Sequence, residues 1–232
     1  MWTSRSEPLN NPMSTTQPIR AVLFDLDNTL LQRDDAMRAY LLHTWEPSAQ
    51  ELEEWLALDN HGRGPRAPLC RAIERARALN GDVIWEHMRT HISAFVTPDV
   101  ELMRALRALN QRVPTGILSN GSGGNQRAKL ARSGLAALFD EARVWISGEL
   151  GVSKPHSEAF APALESFKSL GIWPEHVVMV GDDPVRDILP ARSAGMATVW
   201  VRHDEDWAYE PEPDRCVRGL PGVTSWIREI TS

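Results

Sequence analysis

Two short apolar runs, each stopped abruptly by carboxylates, constrain this chain most. Ala21-Val22-Leu23-Phe24 leads into Asp25-Leu26-Asp27-Asn28-Thr29, and Val177-Val178-Met179-Val180 leads into Gly181-Asp182-Asp183-Pro184-Val185-Arg186-Asp187. A strand that is apolar at every position has both faces covered, the condition of a parallel sheet between helices. Open sheets of that kind gather ligands beyond the C-terminal ends of their strands, where these aspartates stand. The expected fold class is therefore α/β, a Rossmann-like parallel sheet with helices on both faces.

The carboxylates also carry chemistry. A single Asp after a strand serves equally well as a helix cap. Two at alternate positions, Asp25 and Asp27, bracket one reacting centre: one can attack as a nucleophile while the other moves the proton. If Asp25, Asp27 and Asp182 converge to about 4 Å, each pair repels by roughly 4 kcal/mol at an effective dielectric near 20, so the cluster calls for a cation or a trapped proton. All-oxygen ligands favour a hard divalent ion, and a site that keeps water and takes a substrate phosphate favours Mg²⁺ over Ca²⁺. Asp183 and Asp187 are four apart and share one face of the helix that Pro184 can open.

A third run, 112–118, reads as a strand ending in Ser119-Asn120-Gly121, which offers a hydroxyl, an amide and backbone N–H groups suited to a phosphate oxygen. Lys154 follows in Gly151-Val152-Ser153-Lys154-Pro155, in a chain whose only lysines are Lys129, Lys154 and Lys168. An ammonium in a strand-end loop can neutralise carboxylates and an incoming phosphate. Alone, the turn reads as punctuation and the lysine as a surface residue.

Together the four segments resemble the haloacid dehalogenase superfamily. Asp25-Leu26-Asp27-Asn28-Thr29 is similar to its first motif, Ser119 to its second, Lys154 to its third, and Gly181-Asp182-Asp183 with Asp187 to its fourth, over about Ile19 to Arg202. The resemblance implies a Mg²⁺-dependent phosphomonoesterase, with members acting on nucleotides and sugar phosphates the most similar. It makes Asp25 the nucleophile and Asp27 the acid and base. It gives the metal to the Asp25 and Asp182 carboxylates with the Asp27 carbonyl, and the transferring group to Ser119, Asn120 and Lys154. Asp187 stands behind these, orienting Lys154 or a metal-bound water, and Asp183 either shares that role or touches the ion. The same superfamily dehalogenates 2-haloacids, but a halide leaving group has no use for Asp27 or a metal. A catalytically silent binding module on this fold is the third alternative.

Residues 1–18 are polar with no apolar stretch, so the reading is a disordered N-terminal extension, with Met13 as an alternative start. The core is expected over 19–32 and 96–232, and a helical cap over 33–95, with helices at 34–45, 49–59, 67–79 and 82–95. A lid of this kind excludes bulk water and selects the leaving group. Its Asp59-Asn60-His61-Gly62-Arg63-Gly64-Pro65-Arg66 turn supplies Asp59, Arg63 and Arg66 as candidate specificity residues, with a solvated turn as the alternative; His61 reads as a surface residue. Trp45, Trp55 and Trp85 read as packing, or as a pocket wall.

Net charge −6 disfavours a nucleic-acid polymer as partner, and no apolar run reaches the length of a membrane helix. The expected partner is a small-molecule phosphate ester. Cys70 and Cys216 are too few for a disulfide framework, which points to a reducing, cytoplasmic compartment.

Overall fold

The computed structural model describes residues 18–232, so the expected N-terminal extension lies, but for Pro18, outside the described residues. Six parallel strands form one sheet in the order β3-β2-β1-β4-β5-β6. They are β1 Ala21–Phe24, β2 Thr115–Ser119, β3 Val144–Ile146, β4 Val177–Gly181, β5 Ala197–Arg202 and β6 Arg215–Arg218. Alternation along the buried strands splits the core in two. Val22, Phe24, Ile117, Val178 and Val180 face one side, and Ala21, Leu23, Leu118 and Met179 the other.

Helices α5 (Val100–Asn110) and α10 (Gly219–Thr231) cover the first face through Leu106, Trp226 and Ile227, and α6 (Gly123–Ser133) joins them through Leu130. Helix α8 (Ser157–Ser169) covers the second with Phe160 and Phe167. Two short helices, α7 (Ser147–Leu150) and α9 (Leu189–Ser193), follow β3 and β4. β1 occupies the centre of the sheet, hydrogen-bonded to both β2 and β4. The segments after these three strands are thereby neighbours, although they are far apart in sequence.

Between β1 and β2 a helical insertion holds α1 (Arg33–Trp45), α2 (Ala49–Asp59), α3 (Arg66–Arg77) and α4 (Gly81–His91). Ser48 and Glu51 close α2 with a reciprocal capping box, and Asn80 caps α4. Tyr40, Trp55 and Ile73 are buried in one cluster with the first sheet face, so the insertion is packed on the core.

Some expected boundaries move, each for a local reason. The strand read at 112–118 begins only at Thr115, because Val113 N–H still donates to Leu109 O and Pro114 has no N–H. The helix read at 82–95 ends at His91 and tightens into a 3₁₀ turn, Ile92–Phe95. After Asp183 the chain takes one π turn, Pro184–Ile188, before α9, whose Pro190 cannot donate.

Candidate active site

Asp25 follows directly on β1, and its N–H donates to Val180 O at 2.9 Å, which fixes it against β4. Its carboxylate is buried and accepts from Lys154 Nζ at 2.7 Å; the same ammonium donates to Asp187 Oδ1 at 2.6 Å. Asp187 is 1% exposed, and its second oxygen accepts from Asp183 N–H at 3.0 Å. Gly181 makes this possible: a Cβ there would lie 2.5 Å from the Asp187 carboxyl carbon.

Asp25, Asp182 and Asp187 each offer an oxygen within 4.8 Å of the others. Burial pushes the Asp25 carboxyl up to about 7, with Lys154 opposing and Asp187 reinforcing the rise. Burial also pushes Asp182 well above the carboxylate range, helped by Asp25 and Asp187 and opposed by Arg63. Three buried carboxylates, set against the Lys154 ammonium and the Arg63 guanidinium, remain one positive charge short. An all-oxygen donor set with that deficit fits a hard divalent ion.

Asp27, expected beside these, turns its carboxylate elsewhere. Both oxygens accept from Lys129 Nζ, at 2.8 and 2.6 Å, and Oδ2 also from Gln126 Nε2 at 3.0 Å. Burial acts to raise Asp27, but Lys129, Arg33 and Gln126 outweigh it and hold the group below the usual carboxylate range. The metal reading assigned only the Asp27 carbonyl, and the carboxylate that joins Asp25 and Asp182 is that of Asp187.

Ser119 Oγ accepts from Gln126 Nε2 at 2.6 Å. The Asn120 amide is bound to the main chain of Lys154, donating to its O and accepting from its N–H, both at 2.9 Å. Asn120 thus sets the loop that delivers Lys154. Asp183 Oδ1 caps the turn after β4, accepting from the N–H groups of Val185 and Arg186.

From the insertion, Arg63 reaches into the acidic cluster, donating to Asp182 Oδ2 at 2.8 Å and to Glu205 at 2.7 Å. The other two expected specificity residues do not line the central pocket. Asp59 is buried in an ion pair with Arg33 and accepts from Gly62 N–H, so its carboxylate shapes the turn instead of facing a ligand. Arg66 lies over the Trp85 ring, 5.4 Å from its centroid, in a separate cleft with Cys70 and Glu74. His61, read as a surface residue, lines the central pocket and pairs with Asp34. Trp55 is core, so it forms no pocket wall.

The result is a cavity of about 170 Å³ walled entirely by glycine and polar or charged side chains, among them Arg33, His61, Asn125, Lys129 and Arg186. Asn125 Oδ1 is buried there without a hydrogen-bond partner. Lys129, Gln126 and Arg33 escaped the sequence reading; the one available signal was the scarcity of lysine, with Lys129 one of only three in the chain.

A phosphoserine phosphatase of Thermus thermophilus is 39% identical over 130 residues, 56% of this chain but only 48% of that protein. A glyceraldehyde 3-phosphate phosphatase of Methanopyrus kandleri is 32% identical over 215 residues, 84% of this chain and 89% of that protein. Among solved structures, the HAD-hydrolase YfnB of Bacillus subtilis, bound to magnesium, shares the fold with a TM-score of 0.72 at 20% identity, over 91% of this chain and 99% of that one. No helix among the described residues is long and apolar enough to cross a membrane. The haloacid dehalogenase-like hydrolase family matches residues 19–195, and the chain belongs to that family.

Proposed function

We propose that this protein is a Mg²⁺-dependent phosphomonoesterase acting on a small, polar phosphorylated metabolite. The observation that carries the reading is the convergence of Asp25, Asp182 and Asp187 around Lys154, with Asp27 two residues on and held by a lysine of its own. The names of the phosphatase relatives support it.

Asp25 attacks phosphorus in line as the ester P–O bond breaks, giving an aspartyl-phosphate and the leaving oxygen, which takes the proton of Asp27, protonated in the substrate complex, and leaves Asp27 as the carboxylate. Asp27 then accepts a proton from the water that attacks the same phosphorus, and the Asp25 oxygen leaves, releasing inorganic phosphate. In its ion pair Asp27 is ionised and ready for this second step. Bound at the Asp25 and Asp182 carboxylates and the Asp27 carbonyl, Mg²⁺ would offset charge on the transferring group. Lys154 and Ser119 face the same oxygens, Asn120 holds Lys154 in place, and Asp187 orients its ammonium. Asp183 fixes the turn that presents Asp182.

The cavity bears on the substrate. Its lining residues are glycines and polar or charged side chains, with His61 the one ring among them, so it offers hydrogen-bonding groups on every side. A hydroxylated sugar or acid phosphate fits these walls better than a nucleoside monophosphate. The test is phosphate release from a panel of metabolites with Mg²⁺, repeated with EDTA and with Asp25→Asn. Release abolished by both controls supports the reading; release that survives EDTA removes the metal from it.

A further inference from the structure

Lys129 is 3% exposed, on the face of α6 that it shares with Gln126, three residues before it. An ammonium is buried at such a depth only with a partner. Here Nζ grips both Asp27 oxygens, while Gln126 Nε2 spans Asp27 Oδ2, Ser119 Oγ and Asn120 O at 3.0, 2.6 and 3.2 Å. Gln126 is itself packed against Gly121, where a Cβ would approach its side chain to 3.0 Å. The other cation near Asp27 is Arg33, which belongs to the insertion and is spent on Asp59.

We propose that Lys129, supported by Gln126, is the positioning residue for Asp27, fixing its carboxylate from the core side so that proton transfer to the leaving group depends on α6. The inference rests on the phosphatase reading and deepens it. Because α6 follows β2, the acid–base group stays in register with Asp25 wherever the helices of the insertion lie. Without Lys129 the Asp27 carboxylate keeps Gln126 Nε2 as its only hydrogen-bond donor from α6, since Arg33 is engaged by Asp59.

The test compares an alkyl phosphate, whose leaving oxygen needs a proton, with p-nitrophenyl phosphate, whose leaving group does not. Lys129→Met is expected to lower kcat on the alkyl ester at least tenfold more than on the aryl ester, with KM changed by less than about threefold, the pattern of a lost transition-state interaction. Gln126→Leu, a milder change should Lys129→Met fold poorly, is expected to give the same selectivity at smaller size. In an Asp27→Asn background Lys129→Met is expected to cost nothing further, because a residue that acts through another is silent once that one is gone. Equal loss on both esters, or additive losses with Asp27→Asn, overturns the inference alone. A wild-type chain that releases phosphate from neither ester overturns the phosphatase reading and the inference with it.

Discussion

Arg63 of the insertion lies with Nη2 2.8 Å from the Asp182 carboxylate of the core and Nε 3.3 Å from that of Asp183. A guanidinium thus occupies part of the acidic cluster to which a divalent ion is proposed to bind, and the two cations compete for one oxygen. Removing a unit charge at about 4 Å is worth up to about 4 kcal/mol at an effective dielectric of 20. Arg63→Met is therefore expected to tighten Mg²⁺ binding about tenfold or more, measured by isothermal titration. Glu205→Gln, which frees Arg63 on its other side, is expected to shift affinity the opposite way by less, since the guanidinium then turns wholly to Asp182. Weaker Mg²⁺ binding by Arg63→Met would show instead that the arginine helps to build the metal site.

The buried Asp25 carboxyl sets a pH dependence in the metal-free protein. Its folded value, about 7, stands above its ordinary 3.8 because burial outweighs the attraction of Lys154. Between those values the folded chain keeps a proton that the unfolded chain gives up, so this group removes stability as pH rises from about 4 through 7. In urea unfolding without metal, the stability difference between wild type and Asp25→Asn is expected to move in favour of the variant across that window. Saturating Mg²⁺ is expected to remove the trend, since the ion stabilises the ionised form. A difference that stays flat with pH would mean that Asp25 is ionised throughout.

The frame of this molecule was legible because strand ends are written locally: Asp25 and Asp182 each close an apolar run, and a parallel sheet brings such ends together. Side-chain direction was not, because it depends on partners remote in sequence. Asp27 turns to Lys129, 102 positions away, and Asp59 to Arg33, 26 positions away. Arg66 looked equivalent to Arg63 on the same turn, yet it opens α3 and stacks on Trp85 of α4. Gly181 was likewise illegible: its φ is not among the left-handed ones, and what it supplies is room for Asp187.

Gly181→Ala tests that room. The added methyl would overlap the Asp187 carboxyl, which lies 2.5 Å from the ideal Cβ position and cannot retreat without releasing Lys154. Overpacking of a filled interior costs about 1–3 kcal/mol. The variant is expected to lose stability in that range in chemical denaturation, and to lose at least tenfold in phosphate release even where it is fully folded. Wild-type activity in a folded Gly181→Ala would show that Asp187 is not needed to orient Lys154.

Arg33 and Asp59 join the start of α1 to the end of α2, with both side chains at most 10% exposed. A carboxylate at a helix C-terminus is disfavoured by the helix dipole, and the Arg33 guanidinium offsets that cost for Asp59. Asp59→Ala strands a buried cation and is expected to cost about 3–5 kcal/mol, whereas the double variant Arg33→Met/Asp59→Leu is expected to recover most of that loss, because breaking a buried pair costs more than replacing it with apolar groups. The cycle is read by urea unfolding at neutral pH. Because Gly62 N–H also donates to Asp59 Oδ2, the apolar pair leaves the turn that carries Arg63 less constrained even when stability returns. The double variant should accordingly bind Mg²⁺ more tightly than wild type, in the direction of Arg63→Met. Recovered stability with unchanged Mg²⁺ affinity would show that Arg63 is held by Asp182 and Glu205 alone, independently of the ion pair beneath its turn.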